Sequence, residues 1–451
     1  MRRCPTVAEV DDSARQLVSQ FPGTCRLRRI GTSSGGRPIT MLTVGHGPHH
    51  VLVVARPHPD EPVGAATAIT LAARAARGVG VSPATGSTAV TWNIVLCLDP
   101  DGAALSQGLE EATAGDGHTL EGYYRSAYRP VAAEQPEWAP IVSRQLPESQ
   151  ALFDVIEELR PFLQCSLHSV EAGGTWVQLT RELPELTAPF HTSAAKHGIP
   201  VQHGTFDALY WENPSPGVYI LPPPELTDRL AAGSENIARS TWCAPPRYGG
   251  VTAIIEVPLW TTDMADDLAA HPNRAAAVRD LSARVLDGGR QVTAILDKAR
   301  NFLPRPEDSP RRRVLEWMAD GLYDLVAESW QPLATDASHP HSHSHSHPHP
   351  HPHPHPHPHP HPLTTAQICA LDIVARRQPL RAAGLLHHLL KSTAAPAAVG
   401  LRDDLDELLT AWSTDFRRSL RLRRVPVHNQ VEHQLSTVLT ATEAALNTAT
   451  A

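Results

Sequence analysis

The chain has 451 residues, 41% of them hydrophobic, and a net charge of -8. That size and apolar content support one large core plus a smaller one. The acidic balance argues against nucleic acid or an anionic membrane as the main partner. No run of 18 or more apolar residues occurs and the first residues form no apolar signal core, so neither a membrane span nor a secretory signal is expected. Six cysteines are scattered without CxxC spacing, a pattern of reduced, buried thiols from which a cytoplasmic location is expected.

In chain order, apolar runs predict strands over 39–44, 51–55, 92–98, 162–167, 175–180 and 251–257. Helical spacing fills the intervals at 62–76, 149–159 and 184–197. This alternation predicts an α/β fold for residues 1–262, with a mixed central sheet and helices on both faces. From 263 to 337 the apolar spacing is helical, as in Val278, Leu281 and Val285, then Val292 and Leu296. Residues 338–362 alternate His with Pro or Ser and hold about half of the chain's 26 histidines. Proline at every second position blocks helix and central strand, so a disordered insert is expected, and its dense imidazoles are candidates for extra divalent metal. Residues 363–451 are expected to be helical again, with Leu385, Leu386, Leu389 and Leu390 on one face. The cluster Arg417, Arg418, Arg421, Arg423 and Arg424 reads as a solvated helix face.

The chemistry concentrates in His58-Pro-Asp-Glu61, between the second predicted strand and its helix. An imidazole and a carboxylate three apart at the carboxyl edge of a sheet can share one metal ion. His168 follows the 162–167 run and is the third candidate ligand. Glu256 lies in the 251–257 run, where an unpaired acid is costly to bury; desolvation suits it to general base work. Asp60 is a candidate acceptor for a ligand imidazole. His118, His191, His197 and His203 lack such a setting and read as surface or structural residues. Two metal-binding His, one Glu and a separate acid read as a zinc hydrolase.

The order and setting of these residues resemble the zinc carboxypeptidases of the carboxypeptidase A type. The resemblance spans roughly residues 25–262 and includes Gly35-Gly-Arg-Pro-Ile39 and Asp99-Pro-Asp-Gly102, similar to that family's lead-in strand and its Asn-Pro-Asp-Gly turn. It implies Zn2+ held by His58, Glu61 and His168, Glu256 as general base, and hydrolysis of a C-terminal peptide bond. Where the family carries an Asn-Arg pair for the substrate carboxylate, this chain reads Glu134-Gln-Pro-Glu-Trp138. Arg125 and Arg129 are the remaining candidates to hold a carboxylate or polarise the carbonyl, and Tyr248 receives no role. Loss of Asn-Arg keeps open the related desuccinylase and aspartoacylase branch, which acts on small N-acyl amino acids. The His-Pro-Asp-Asp-Glu motif of N-acetylglucosaminyl deacetylases is a weaker match, because Asp60 is followed at once by Glu61. A non-catalytic zinc-binding protein built around the His/Pro tract is the third class.

Overall fold

Side chains that alternate between two buried faces build the core of this chain. Along strand β3 (His49–Ala55), Val51, Val53 and Ala55 point to one hydrophobic cluster while Leu52 and Val54 point to another. A strand covered on both faces is what the apolar run requires. The computed structural model describes residues 3–112, 119–137, 145–205, 208, 211–222, 237–334 and 363–450. The His/Pro tract 338–362, His118 and Trp138 lie outside them.

Helix α1 (Val7–Gln20) precedes the hairpin of β1 (Cys25–Thr32) and β2 (Pro38–Val44). After β3 come α2 (Val63–Arg77), β4 (Val90–Val95), α3 (Pro147–Leu159), β5 (Leu163–Gly173) and β6 (Trp176–Leu179). Helix α4 (Pro184–Lys196), β7 (Glu212–Ser215), β8 (Val218–Ile220) and β9 (Val251–Thr261) complete this part. The sheet order is β1-β2-β4-β3-β5-β9-β6-β8-β7, and the two-residue strand β10 (Arg423–Arg424) pairs with β9. Strands β4, β3, β5 and β9 run parallel, with antiparallel strands on both flanks. The expected mixed sheet with helices on both faces is therefore present.

Two strands run further than their apolar cores. β5 continues through Ser169-Val-Glu-Ala-Gly173 and β9 through Pro258-Leu-Trp-Thr261, paired to each other in register. β3 stops at Ala55, opposite Leu167. His168 and Glu256 thus sit within long strands, at the level where their neighbour β3 has ended. β1 was not expected; its Arg-rich outer face suits an edge strand exposed to solvent.

A second layer of helices follows: α5 (Arg274–Ala299), α6 (Pro310–Trp317), α7 (Thr365–Lys391) and α8 (Ala398–Ser419). They share a core with Tyr123, Tyr124, Val257, Leu259 and Trp260. Contact is closest at Gly384, where a Cβ would lie 2.0 Å from the Tyr124 carbonyl oxygen, so a side chain there would push α7 off the short helix Leu120–Ser126. The last helix, α9 (Val427–Thr450), leaves this layer. Its Leu435, Val438 and Ala441 join the cluster of α2, α4 and the sheet. Most of the described residues 363–450 are helical as expected, but their final helix packs with the α/β layers rather than with α7 and α8. Arg423 pairs with Asp263 through β10, while Arg418 is largely exposed.

Candidate metal centre

The turn between β3 and α2 is built under constraint. Arg56 has a φ of 49°, in the left-handed region that non-glycine residues avoid. Its side chain is buried and holds Glu110 at 2.7 Å. This kink sends Pro57–Pro62 across the vacated end of β3. Gly64 then lets α2 press on β5, since a Cβ there would meet the Leu167 carbonyl at 2.8 Å. The result is a carboxylate, Glu61, set against the edge of β5 where pairing has ceased. The Ser169 amide, past the end of β3, donates to Glu61 Oε2 at 3.2 Å.

His58, Glu61 and His168 converge there. Donor atoms of the three lie within 4.8 Å of one another, and all three residues are buried. His58 Nδ1 is 3.0 Å from Glu61 Oε1, and His168 Nδ1 is 3.1 Å from Glu61 Oε2. The two imidazole rings meet edge to face, centroids 4.8 Å apart. Two imidazole nitrogens and one carboxylate are a donor set that zinc accepts, with room for a further ligand.

The outer nitrogens fix the tautomers. His58 Nε2 lies 3.0 Å from Gln135 Oε1, an acceptor. Arg129 Nη1 lies 2.6 Å from His58 Nδ1. A guanidinium only donates, so His58 Nδ1 is the bare nitrogen and Nε2 carries the proton. His168 Nε2 faces Glu137 Oε2 at 2.8 Å, and Ser166 Oγ donates to Glu137 Oε1 at 2.5 Å. Each Nε2 is thereby held by an acceptor and each Nδ1 faces Glu61, leaving Nδ1 as the nitrogen a metal would take. Gln135 and Glu137 come from the very segment in which an Asn-Arg pair was sought. Sequence reasoning missed them, and their only local signal was the absence of that pair. Asp60, the expected imidazole acceptor, instead meets Arg129 Nε at 2.8 Å and the Tyr123 hydroxyl at 3.3 Å.

Electrostatics follow from burial and these neighbours. Burial, then the charge on Arg129, holds the His58 imidazole below its ordinary pKa. For His168 burial acts the same way, but the carboxylates of Glu61 and Glu137 outweigh it and raise the value well above ordinary. Burial pushes the Glu61 carboxyl up, yet Arg129, His58 and His168 together draw it well below.

Glu256 stands opposite His168 in the β5–β9 register, its Oε1 4.0 Å from His168 Nδ1. Of the two arginine candidates only Arg129 reaches the group, bonding Glu61 as well as Asp60. Arg125 is turned away, engaged by Glu121 at 2.7 Å and by Asp406 and His387 of the helical layer. Tyr248 is 41% exposed and stacks under Arg160. His191 and His197 are on or beside α4, and His203 donates its amide to Ala265, so none of the three belongs to the cluster.

Two further contributors were not legible. From α9, Gln434 Nε2 donates to the carbonyls of His168 and Ile255, while Thr67 Oγ1 donates to Gln434 Oε1 at 2.7 Å. Beside it, His433 Nε2 meets Thr175 Oγ1 at 3.0 Å, and that hydroxyl donates to the Glu256 carbonyl at 2.6 Å. From α7, Arg381 Nε donates to Glu171 Oε1 at 2.7 Å, and Arg381 Nη2 lies 3.7 Å from Asp60.

No curated protein matches this chain. Among solved structures, a metallo-carboxypeptidase from Burkholderia cenocepacia is similar at 19% identity, with 55% of this chain and 59% of that one covered and a TM-score of 0.35. Carboxypeptidase A from Helicoverpa armigera is similar at 15% identity, covering 57% of this chain and 65% of that one, with a TM-score of 0.34. Residues 10–173 match the family model described as zinc carboxypeptidase. That segment carries His58, Glu61 and His168, so over those residues this chain is similar to the zinc carboxypeptidase family.

Proposed function

We propose that this protein is a zinc-dependent metallocarboxypeptidase that hydrolyses a C-terminal peptide bond. One observation carries the reading: Nδ1 of His58, Nδ1 of His168 and both oxygens of Glu61 face one another, with Glu256 at their side. Bound zinc supplies Lewis acidity to water and to the scissile carbonyl. Glu256 takes the proton of the attacking water on its carboxylate and hands it to the leaving nitrogen. Arg129 contacts the lone pair that a metal on His58 would claim; it keeps Asp60 as counter-ion and offers its other N–H groups to the carbonyl oxygen. Five buried thiols among six free cysteines support a reducing, cytoplasmic setting. We assign weaker, additional divalent metal binding to the imidazoles of residues 338–362.

A second reading is hydrolysis of small N-acyl amino acids. It is favoured by Gln135 and Glu137, which orient imidazoles where the carboxypeptidase resemblance calls for a carboxylate clamp. Incubation of the zinc-loaded chain with blocked peptides bearing a free C-terminus, and with N-acyl amino acids, separates the two. Glu256→Gln is expected to abolish hydrolysis of either class with zinc retained, and His168→Ala to lose the zinc. Near-normal turnover in Glu256→Gln would remove that residue as the base.

A further inference from the structure

We propose that the cavity between the helical layer and the metal centre is a subsite for one apolar side chain on the acyl side of the scissile bond. This rests on the hydrolytic reading above. The cavity holds about 190 Å³. Its walls are Val314, Trp317, Met318 and Leu322 from α6 and the turn after it, with Leu385 from α7. Its inner end is Asp60, Arg129 and Gln135.

Position relative to the base decides which half of the substrate lies there. Gln135 and Arg129 touch His58, at 3.0 and 2.6 Å. Glu256 stands beside His168 and is not among the residues that line the cavity. A base that returns its proton to the leaving nitrogen must have the leaving fragment on its own flank. The acyl fragment then extends the other way, past His58 and Arg129, into the cavity.

Chemistry decides what fits. The charges at the inner end are already matched: Arg129 by Asp60 and Glu61, and Arg381, which also lines the cavity, by Glu171. Among the described residues no unmatched charge is left there to select an ionic side chain. The walls are aliphatic, aromatic and thioether, and Met318 offers a surface that adapts to shape. Trp317 is 45% exposed, a large apolar face whose covering by a ligand is favourable. The volume is below that of pockets for whole drug-sized ligands and suits a single side chain.

The test uses the full chain and N-acetyl-X-phenylalanine substrates with X as glycine or leucine. Wild type is expected to prefer leucine by at least about tenfold in kcat/KM, the gain from filling an apolar pocket. Leu322→Trp fills the cavity and is expected to bring the leucine-to-glycine ratio within about twofold; Trp317→Ala is expected to lower it partway. The ratio is unaffected by a loss of folded protein. A ratio unchanged in both variants overturns the subsite while leaving hydrolysis standing. N-acetyl-leucine binding, read from Trp317 fluorescence against Trp317→Phe, is the second measurement. Binding without hydrolysis of any substrate supports the subsite and overturns the catalytic reading; no binding and no leucine preference overturns the subsite.

Discussion

The side-chain amide of Gln434 donates to the main-chain carbonyl of His168 at 2.8 Å and to that of Ile255 at 3.1 Å. One residue of the last helix thus ties together the strand of a candidate ligand and the strand of the candidate base. All three partners are buried. Gln434→Leu strips partners from both carbonyls and from the Thr67 hydroxyl. A loss of roughly 1–3 kcal/mol in unfolding free energy is expected for such orphaned groups. Urea denaturation at constant m-value measures it, and an unchanged midpoint would show that these bonds contribute nothing.

Glu137 offers a separate handle on the metal. Its carboxylate receives the outer N–H of His168, and partners of this kind are typically worth about 10–100-fold in metal affinity. Glu137→Ala is expected to weaken zinc binding by that factor, with Gln135→Ala weaker in effect because its amide is uncharged. Competition against a chromophoric chelator gives both values; wild-type affinity in Glu137→Ala would dismiss the role.

His433 makes stability pH-dependent. Burial, with a smaller contribution from His197, pushes its imidazole down to about 3. In the unfolded chain it takes a proton near pH 6.5, whereas the folded chain does not until near 3. The unfolded state therefore binds more protons between those values. Its share of the stability is fully present above about pH 6.5 and is lost as pH falls toward 3, by up to about 1.4 kcal/mol per unit. Denaturation near pH 7.5 and near pH 5 should show a smaller acid loss in His433→Gln, by about 2 kcal/mol. An equal loss in both proteins would assign the pH response elsewhere.

Metal stoichiometry separates the enzyme from a carrier. A chain lacking residues 338–362 is expected to retain one tightly bound zinc, and the full chain to take up further, weaker equivalents. Calorimetric titration of both distinguishes these, and loss of all tight zinc with the tract would place the metal chemistry in the repeat instead.

The sequence carried the parts of this site that obey local rules. His58 and Glu61 flank a strand-turn-helix break, and His168 and Glu256 interrupt apolar runs, so each was visible from its neighbours. The strands β5 and β9 read short because Glu171, Gly173 and Thr261 carry loop-like chemistry, and only their mutual pairing shows them to be strand. Arg125 and Arg129 were equivalent as text. What separates them is Asp406 and His387 on the helical layer, which capture the first, and Asp60, which holds the second. Gln434 and His433 lie on an amphipathic helix whose pattern gives no hint of what it covers. Their partners are 266 and 258 positions away, a separation that no window of periodicity spans.

That separation matters during biosynthesis. A ribosome that has delivered the polypeptide as far as Glu256 has already released every candidate donor and the candidate base, yet the brace for the His168 and Ile255 carbonyls is still unmade. Long-range closure of this kind is slow to form relative to local helices, so competence to capture zinc firmly would be acquired late, after the helical layer and the Val427–Thr450 segment have emerged and docked.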